Sequence, residues 1–519
     1  MEQRMKLGRK NSKYLFYFLV CGSLITINPI HDCYAANKKD TASASALEKK
    51  NNNDGNKEGW FNLLPENSIT HHHLILNQKP IDYTAEAGTL LLRNKDGEPT
   101  AKMFFVSYTL NNPLKKDRPI SFFFNGGPGA GSAYLNLGAA GPEVINFPDH
   151  NPADGVHAKQ VPNPDSWLSF TDMVFIDAVD TGYSVSSVKP EEAAKEFYNT
   201  KKDAKTFAQA IQLWLSNHHR ANTPIWLVGE SYGGIRSVEV CKALLMDQNI
   251  LINGIVMISP TIEMGYLDLT DNPLADAFII PSYIAAHLEN THQLNTQKID
   301  DAYHYALNDY LHFMINPPAK KQEAEAFYAN LSNKTGLPIT VITQNRGVLD
   351  PSAHAIRSRN GKLYSVYDAT LSIDDPFPEG IDNNDSPEPI LAGFGRIYGS
   401  FFDRYAAQQL QFKSPMTYKL LNMHLNSKWD YKDHDFSIVR GTSDLRKLMA
   451  LNPSMKLFIA HGYFDLVCPF ATSKWIMEHM PVGRDRITLK LYKGGHMLYT
   501  RPDSRAALSH DVRLLYQEN

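Results

Sequence analysis

Short apolar runs alternate with segments of helical periodicity over much of the chain. Most of these runs are continuous rather than alternating, which is typical of strands covered by helices on both faces. Between them, Lys201–Ser216 and Gly234–Met246 place apolar residues at helical spacing. This order of elements predicts an α/β protein with a mostly parallel central sheet flanked by helices. The predicted strands are Lys102–Leu110, Ile120–Phe124, Met173–Asp177, Ile225–Val228, Gly254–Ser259, Lys456–Ala460 and Ile487–Tyr492.

The alternation of strands and helices stops between Leu267 and Ser400. Helical segments such as Gln322–Leu331 are mixed there with a stretch rich in Pro, Asp and Asn, Asp374–Ile390. Loops at the carboxyl edge of such a sheet accept extra material and bind ligands, so we expect an inserted helical cap over that edge. The predicted division is a first core segment at 59–266, the cap at 267–400 and a second core segment at 401–519.

The N-terminus has the pattern of an export signal. Several Lys and Arg residues precede an apolar run, Tyr14–Ile27, and the small residue Ala35 offers a cleavage site. The pattern predicts a signal peptide over 1–35 and a periplasmic or secreted mature chain. An uncleaved anchor is the alternative, and a lipoprotein site at Cys21 fits less well. The run falls short of the roughly 18 residues of a span, so no stable membrane insertion is expected.

Composition excludes several classes of protein. Of the 519 residues, 43% are hydrophobic and 21% are charged, so most of the chain is an ordinary globular fold rather than collagen, coiled coil or disordered polypeptide. Residues 36–58 are the exception, because they lack apolar periodicity and are predicted to be a disordered linker. The net charge of -3 leaves no basic excess, and nucleic acid is therefore not an expected partner.

Few residues are candidates for disulfides or metal ligands. Cleavage of the signal would leave only Cys241 and Cys468, hence at most one bridge, and two buried thiols are favoured over pairing. His71, His72 and His73 are adjacent, but we expect them to point in different directions, which disfavours a metal site. No metal or cofactor is predicted.

The first candidate for chemistry is a serine in the motif Gly229-Glu230-Ser231-Tyr232-Gly233. The motif directly follows a predicted strand and opens a helical pattern. Gly-x-Ser-x-Gly in that context forms a tight strand-turn-helix elbow that exposes the hydroxyl. Ser231 is therefore the candidate nucleophile.

The C-terminal part of the chain supplies partners for this serine. In α/β hydrolases the catalytic residues follow the order Ser, Asp or Glu, and His along the chain. Asp465 and His496 each lie on a loop that follows a predicted strand. Separately, each could be a turn or surface residue, but together with Ser231 they form a candidate catalytic triad.

Acyl transfer also needs hydrogen-bond donors for an oxyanion. The strand Ile120–Phe124 runs into a glycine-rich loop from Asn125 to Ser132, where glycines allow close approach of backbone amides. The amides of Gly127 and Tyr232 are the expected donors. A phosphate-binding loop is the alternative, but the Lys-Ser/Thr ending of a P-loop is absent.

Five blocks of the sequence resemble the serine carboxypeptidases, an α/β-hydrolase family that removes C-terminal residues from peptides. The resemblance implies an α/β-hydrolase fold with an inserted cap, and it implies the same triad and oxyanion donors. It also implies that peptides with a free C-terminal carboxylate are the partners, and that Asn125 and Glu230 bind this carboxylate. The blocks are FFFNGGPGAGS (122–132), MVFIDAVDTGYSVS (173–186), GESYGG (229–234), GYFDLVCPF (462–470) and GGHM (494–497).

The implied role of Glu230 has a physical consequence. Two carboxylates can share a hydrogen bond only if one of them holds a proton, so burial and like charge should raise the pKa of Glu230. We therefore expect peptide binding to be favoured at acidic pH. Two departures from the family's pattern are Ala130-Gly131 in place of Cys-Ser, which removes a disulfide, and Phe123 in place of Trp, which removes an indole N–H.

Other functions stay open on the sequence alone. An acyltransferase or esterase could use the same triad with a different acceptor, and a secreted binding protein could have lost catalysis. Tyr183 and Cys468 lie close to motif positions, where core packing and a buried thiol are favoured over a place in the pocket.

Overall fold

The computed structural model describes residues 59–76, 78–113, 117–147, 155–269, 272–379, 386–432 and 438–517. The signal peptide predicted over 1–35 and the linker predicted over 36–58 lie outside the described residues. The strands are β1 (Ser68–Leu76), β2 (Lys79–Arg93), β3 (Pro99–Leu110), β4 (Ile120–Phe124), β5 (Glu143–Asn146), β6 (Lys159–Pro162), β7 (Asp172–Ile176), β8 (Val185–Ser186), β9 (Ile225–Glu230), β10 (Gly254–Ile258), β11 (Ser358–Arg359), β12 (Lys362–Tyr364), β13 (Ser372–Asp374), β14 (Lys456–Gly462) and β15 (Ile487–Tyr492).

Helices connect these strands and cover the sheet. The α-helices are α1 (Ala133–Leu135), α2 (Pro190–Glu196), α3 (Thr200–Asn217), α4 (Gly233–Gln248), α5 (Pro273–Asn290), α6 (Thr296–Tyr305), α7 (Leu311–Ile315), α8 (Lys321–Thr335), α9 (Ile339–Gln344), α10 (His354–Arg357), α11 (Pro389–Ala392), α12 (Ile397–Gln408), α13 (Met423–Ser427), α14 (Gly441–Leu451), α15 (Phe470–Glu478) and α16 (Pro502–Gln517). None of them, within the part of the chain that the structure describes, has the length and hydrophobicity to cross a bilayer.

The central sheet has ten strands in the order β1-β2-β3-β7-β4-β9-β10-β14-β15, with β8 paired to β3. All neighbours from β7 to β15 are parallel, whereas β1, β2, β3 and β7 pair antiparallel. All seven predicted strands are present. The hairpin of β1 and β2 was not predicted, because its burial alternates and its apolar signal is interrupted by histidines.

Helices bury both faces of the sheet, as the continuous apolar runs predict. On β4, Phe122 and Phe124 belong to the cluster that includes Trp214 of α3, whereas Phe123 belongs to the cluster that includes Tyr516 of α16. Alternate residues of one strand thus face two hydrophobic cores. This arrangement buries both faces of the sheet and leaves its carboxyl edge for loops.

The predicted insertion contains more than helices. Helices α5 to α10 are followed by a small antiparallel sheet of β11, β12 and β13, which the sequence patterns did not predict. The chain turns between β11 and β12 at Asn360 and Gly361, with φ of 54° and 70°, which is the backbone of a two-residue hairpin loop. The predicted boundary at residue 400 falls inside α12, and the division into segments stays a prediction.

The expectation that His71, His72 and His73 all point in different directions is wrong in part. Successive side chains of a strand alternate between its two sides. His71 and His73 are both exposed on one side of β1, whereas His72 lies on the other side and stacks on Tyr83 with ring centroids 5.2 Å apart.

The two cysteines in the described residues are both free and buried. Cys241 Sγ lies 3.9 Å from the sulfur of Met455, and Cys468 Sγ lies 3.1 Å from Thr261 Oγ1. The prediction of two buried thiols is confirmed, so the core rather than a disulfide stabilises this part of the fold.

Candidate active site

Ser231 lies at a strained turn between the end of β9 and the start of α4. Its φ is 62°, in the left-handed region that a residue with a side chain rarely adopts. Two backbone hydrogen bonds hold it: Ser231 N donates to Ile258 O (3.0 Å), and Thr261 N donates to Ser231 O (2.9 Å). A side chain at Gly229 would collide with the Gly233 carbonyl, so glycine permits the close turn. The predicted strand-turn-helix elbow is present.

A buried carboxylate and imidazole form a hydrogen-bonded pair on the loops that follow β14 and β15. Asp465 Oδ2 accepts a hydrogen bond from His496 Nδ1 at 2.8 Å. Asp465 Oδ1 accepts from the amides of Val467 (2.8 Å) and Cys468 (2.9 Å), which fix the carboxylate. Burial alone would lower the pKa of His496, but the charge of Asp465, the neighbouring Cys468 and the hydrogen bonds to both together raise it. Because His496 Nδ1 is bonded to Asp465, the ring nitrogen Nε2 of His496 is the one that can act on a substrate or on Ser231.

The topology brings the three predicted catalytic residues to one edge of the sheet. Ser231 follows β9, Asp465 follows β14 and His496 follows β15, and parallel strands end at the same edge. Asp465 and His496 are joined directly, whereas the Ser231 hydroxyl makes no hydrogen bond to any residue that the structure describes. Glu230, which precedes Ser231, senses the charges of both His496 and Asp465, so the elbow lies beside the pair.

A thiol lies close to this pair. Polar atoms of Asp465, Cys468 and His496 all lie within 4.8 Å of one another, and all three residues are buried. Three such groups could ligate a cation, but a structural zinc site normally has four ligands. The contact of Cys468 with Thr261 and the bond between Asp465 and His496 account for these groups as hydrogen-bonding partners.

The glycine loop after β4 lies directly against the elbow. A Cβ atom on Gly126 would lie only 2.5 Å from the backbone nitrogen of Tyr232, so a side chain there would separate the loop from the elbow. Gly127 has a φ of 98°, which favours glycine. The loop and the Tyr232 amide are thus neighbours, as the proposed oxyanion site requires.

A buried aspartate outside the predicted site residues anchors the far end of this loop. Asp177 Oδ1 accepts a hydrogen bond from Ser132 N at 2.6 Å and from the Tyr418 hydroxyl at 3.0 Å. Burial raises the pKa of Asp177 to about 6. The contacts tie the glycine loop to the segment after β7.

Glu230 and Asn125 form the centre of a buried polar cluster. Asn125 Nδ2 donates to Glu230 Oε2 at 2.5 Å, and the Tyr499 hydroxyl lies 2.9 and 3.0 Å from the two carboxylate oxygens. Burial raises the pKa of Glu230 to about 7, although the positive charge of His496 opposes this shift. The raised pKa and its cause, burial, are as predicted from the sequence, whereas the contact with Tyr499 was not predicted.

A buried ion pair supports Asn125 from behind. The guanidinium of Arg236 donates to the Asn125 carbonyl and, through Nε, to Asp203 Oδ2 at 2.6 Å. The amide of Leu135 donates to Asn125 Oδ1 at 3.2 Å. Because Oδ1 is an acceptor in this bond, the Nδ2 group must face Glu230.

The inserted region contacts both the loop that carries Asp465 and the loop that carries His496. The amide of His496 donates to the Tyr367 carbonyl at 2.6 Å, and the Tyr367 ring meets the imidazole edge-on with centroids 5.3 Å apart. Leu466 N donates to the Val366 carbonyl at 3.0 Å. No motif marked Tyr367 in the sequence, because its role depends on long-range packing.

Two residues considered at the sequence level belong to the hydrophobic core. Phe123 stacks on Phe175 with centroids 4.4 Å apart. The Tyr183 ring packs edge-on against Phe104 at 5.2 Å, and its hydroxyl bonds to Asp403. The core interpretation of Tyr183 is therefore confirmed.

The sheet, the elbow and the Asp465–His496 pair define an α/β hydrolase. The family model for serine carboxypeptidase matches residues 77–495, and the chain belongs to that family. The predicted fold class and family are thus confirmed.

Several relatives are similar to parts of the chain. Carboxypeptidase sxa2 of Schizosaccharomyces pombe is 31% identical over 151 residues, covering 28% of this chain and 26% of that protein. The pheromone-processing carboxypeptidase KEX1 of Saccharomyces cerevisiae is 28% identical over 253 residues, covering 43% of this chain and 33% of that protein. The matched region thus spans a third or less of these relatives' length.

The fold has a solved counterpart. The crystal structure of KEX1(delta)p, a prohormone-processing carboxypeptidase from Saccharomyces cerevisiae, matches with a TM-score of 0.55 and 17% identity. The match covers 84% of this chain and 91% of that chain, so the likeness extends over most of the fold.

Proposed function

We propose that this protein is a serine carboxypeptidase that releases C-terminal residues from peptides through an acyl-enzyme on Ser231. The observation that carries the proposal is the position of Glu230. This buried acid directly precedes the elbow serine, bonds to Asn125 and has a pKa of about 7. Family membership supports the same activity.

The proposed triad works by proton transfer between neighbouring groups. His496 Nε2 takes the proton of Ser231 as Oγ bonds to the scissile carbonyl carbon, and Asp465 keeps the imidazole oriented. The amides of Gly127 and Tyr232 stabilise the oxyanion. When the C–N bond breaks, His496 returns the proton to the leaving amine. Water then attacks the acyl-enzyme by the same proton route and restores the Ser231 hydroxyl.

The C-terminal carboxylate of the substrate is proposed to bind at Asn125 and Glu230. Asn125 Nδ2 offers an N–H, and neutral Glu230 offers an O–H. A bound carboxylate places a second negative charge near Glu230, which raises the pKa of Glu230 further and favours the neutral acid. Binding of the peptide carboxylate should therefore be strongest below the pKa of Glu230 and weaken as the pH rises through about 7, which sets the upper pH limit of activity. Protonation of His496, whose pKa is raised, sets the lower limit, because only the neutral imidazole can accept the Ser231 proton.

Release of single residues from the end of a peptide tests this function. The wild-type protein should shorten an unblocked peptide from its C-terminus, seen by mass spectrometry, and a fluorophosphonate should label Ser231. Ser231→Ala should lose both reactions. Peptide shortening that persists in Ser231→Ala, or labelling at another serine, would remove Ser231 from the mechanism.

We also propose that the protein is exported, with residues 1–35 as its signal peptide and the periplasm or the exterior as its destination. The basic and apolar N-terminal pattern supports this. N-terminal sequencing of protein recovered outside the cytoplasm should start at Ala36. A chain that keeps Met1 would contradict cleavage.

A further inference from the structure

A cavity in the inserted region lies between the C-terminal ends of α5 and α8 and the hairpin of β11 and β12. Its volume is about 130 Å³, well above the minimum that a single water molecule needs. The lining side chains used below are Tyr283, His287, Asn290, Arg359 and Asn360. The lining includes no carboxylate and no member of the proposed triad.

The cavity holds a buried polar group without a partner. Tyr283 is 3% exposed, and its hydroxyl has no hydrogen bond within the described part of the chain. Leaving such a group unsatisfied destabilises a folded protein, and buried polar groups in native proteins are nearly always paired. The Tyr283 hydroxyl is therefore available to a ligand that enters the cavity.

The guanidinium of Arg359 also lines the cavity, and most of its N–H donors have no partner among the described residues. Arg359 stacks on the Tyr364 ring, with Cζ 3.6 Å from the ring centroid, and Nη1 donates to the Ile356 carbonyl at 3.0 Å. Among the described residues it has no carboxylate partner. Stacking fixes the plane of the guanidinium. The Ile356 carbonyl and Tyr364 use part of its five N–H donors, and the remaining donors can hold an oxyanion in a bidentate way.

The surroundings of Arg359 and Tyr283 favour a negative ligand. Arg357 also acts electrostatically on Tyr283, and its own N–H groups are bonded to backbone carbonyls. Asp350 is the acid that acts on Tyr283, but its Oδ1 already accepts two hydrogen bonds from Ser352. The cavity thus offers donors and positive charge.

The rest of the lining adds donors and an entrance. Neither ring nitrogen of His287 has a hydrogen-bond partner in the described ranges. Asn290 and Asn360 are exposed, so the cavity opens to solvent on their side. Both carry side-chain amides that can donate.

We propose that this cavity is a binding site for a small oxyanion, a carboxylate or a phosphate, held by Arg359 and Tyr283. The site is separate from the proposed peptidase function and does not depend on it. A bound oxyanion would bridge α5 and the hairpin of β11 and β12, and would stabilise the inserted region by binding only the folded chain.

Calorimetric titration of the full-length protein with sodium acetate and with sodium phosphate, at constant ionic strength, tests the proposal. At least one anion should bind saturably. Arg359→Gln should weaken this binding at least about tenfold, because a charge-assisted bidentate contact is lost. Tyr283→Phe, which removes one oxygen, should weaken it about three- to tenfold. Acetate alone would identify a carboxylate ligand, and phosphate alone a phosphate ligand.

A matched control separates this site from general attraction of anions. Arg404 is an exposed arginine whose guanidinium stacks on Phe401 at 4.4 Å outside the cavity, and Arg404→Gln should bind like wild type. The proposal is overturned if neither anion binds, or if Arg359→Gln and Tyr283→Phe bind both anions as tightly as the wild type. If the anions bound at Asn125 and Glu230 instead of in the cavity, Arg359→Gln and Tyr283→Phe would both bind them as tightly as the wild type.

Discussion

Removal of the Tyr499 hydroxyl should move the upper pH limit of peptidase activity. The hydroxyl lies 2.9 and 3.0 Å from the Glu230 oxygens and lowers the pKa of Glu230, because its hydrogen bond favours the charged carboxylate. A hydrogen bond to a charged group contributes about 1.5–3 kcal/mol, part of which persists with the neutral acid. A difference of about 1.4 kcal/mol between the two forms is one pH unit.

Tyr499→Phe should therefore raise the pKa of Glu230, which is about 7 in the wild type, by about one unit. Neutral Glu230 is the form proposed to bind the substrate carboxylate, so activity would persist to higher pH. The assay is kcat/KM for a blocked dipeptide with a free C-terminus from about pH 4 to about pH 9, which reports groups of the free enzyme.

Tyr398→Phe is a matched control for this experiment. Tyr398 is buried, is close enough to Glu230 to sense its charge, and its hydroxyl has no hydrogen-bond partner in the described structure. Loss of the Tyr398 hydroxyl should leave the upper pH limit of activity within about 0.3 pH units of the wild-type value. An unchanged limit in Tyr499→Phe, a shift to lower pH, or an equal shift in Tyr398→Phe would refute the reasoning.

Three further substitutions test the scaffold of the site. Ser231→Ala should lower kcat by about 10⁶ while the thermal unfolding curve stays close to that of the wild type; a loss below about tenfold would contradict the triad. Arg236→Met should lower the free energy of unfolding, measured with urea, by about 3–5 kcal/mol, because Asp203 is left buried and unpaired. The double variant Arg236→Met with Asp203→Leu should recover part of that loss, because it removes the unpaired carboxylate as well. Gly126→Ala should lower kcat at least about a hundredfold, because the added methyl group separates the glycine loop from the elbow amide. Gly265 has open space around it, so Gly265→Ala should leave kcat unchanged. Equal effects of the two substitutions would contradict the steric argument.

The predicted parts of the fold are those with a strong local signal. Strands buried on both faces appear as continuous apolar runs, and β4, β9 and β10 all match that pattern. The hairpin of β11 and β12 was missed although Asn360-Gly361 is a recognised signal for a two-residue loop. Its flanking strands are too short to show alternation.

The predicted parts of the site are those fixed by strand ends. Ser231, Asp465 and His496 each follow a strand of one parallel sheet, so their order along the chain predicts a common edge. Tyr499 bonds to Glu230 across 269 positions, and Tyr367 reaches His496 from the inserted region. Such contacts depend on how helices and loops pack, which local patterns do not encode.

The most direct test of the proposed function compares blocked dipeptides with free and amidated C-termini. The wild-type protein should prefer the free acid at pH 5 by at least about a hundredfold in kcat/KM, because the amide cannot form the charged hydrogen bonds to Asn125 and Glu230. Glu230→Ala, which removes the donor, should lose most of that preference. Equal rates for the two substrates in the wild type would contradict carboxylate recognition and, with it, the carboxypeptidase assignment.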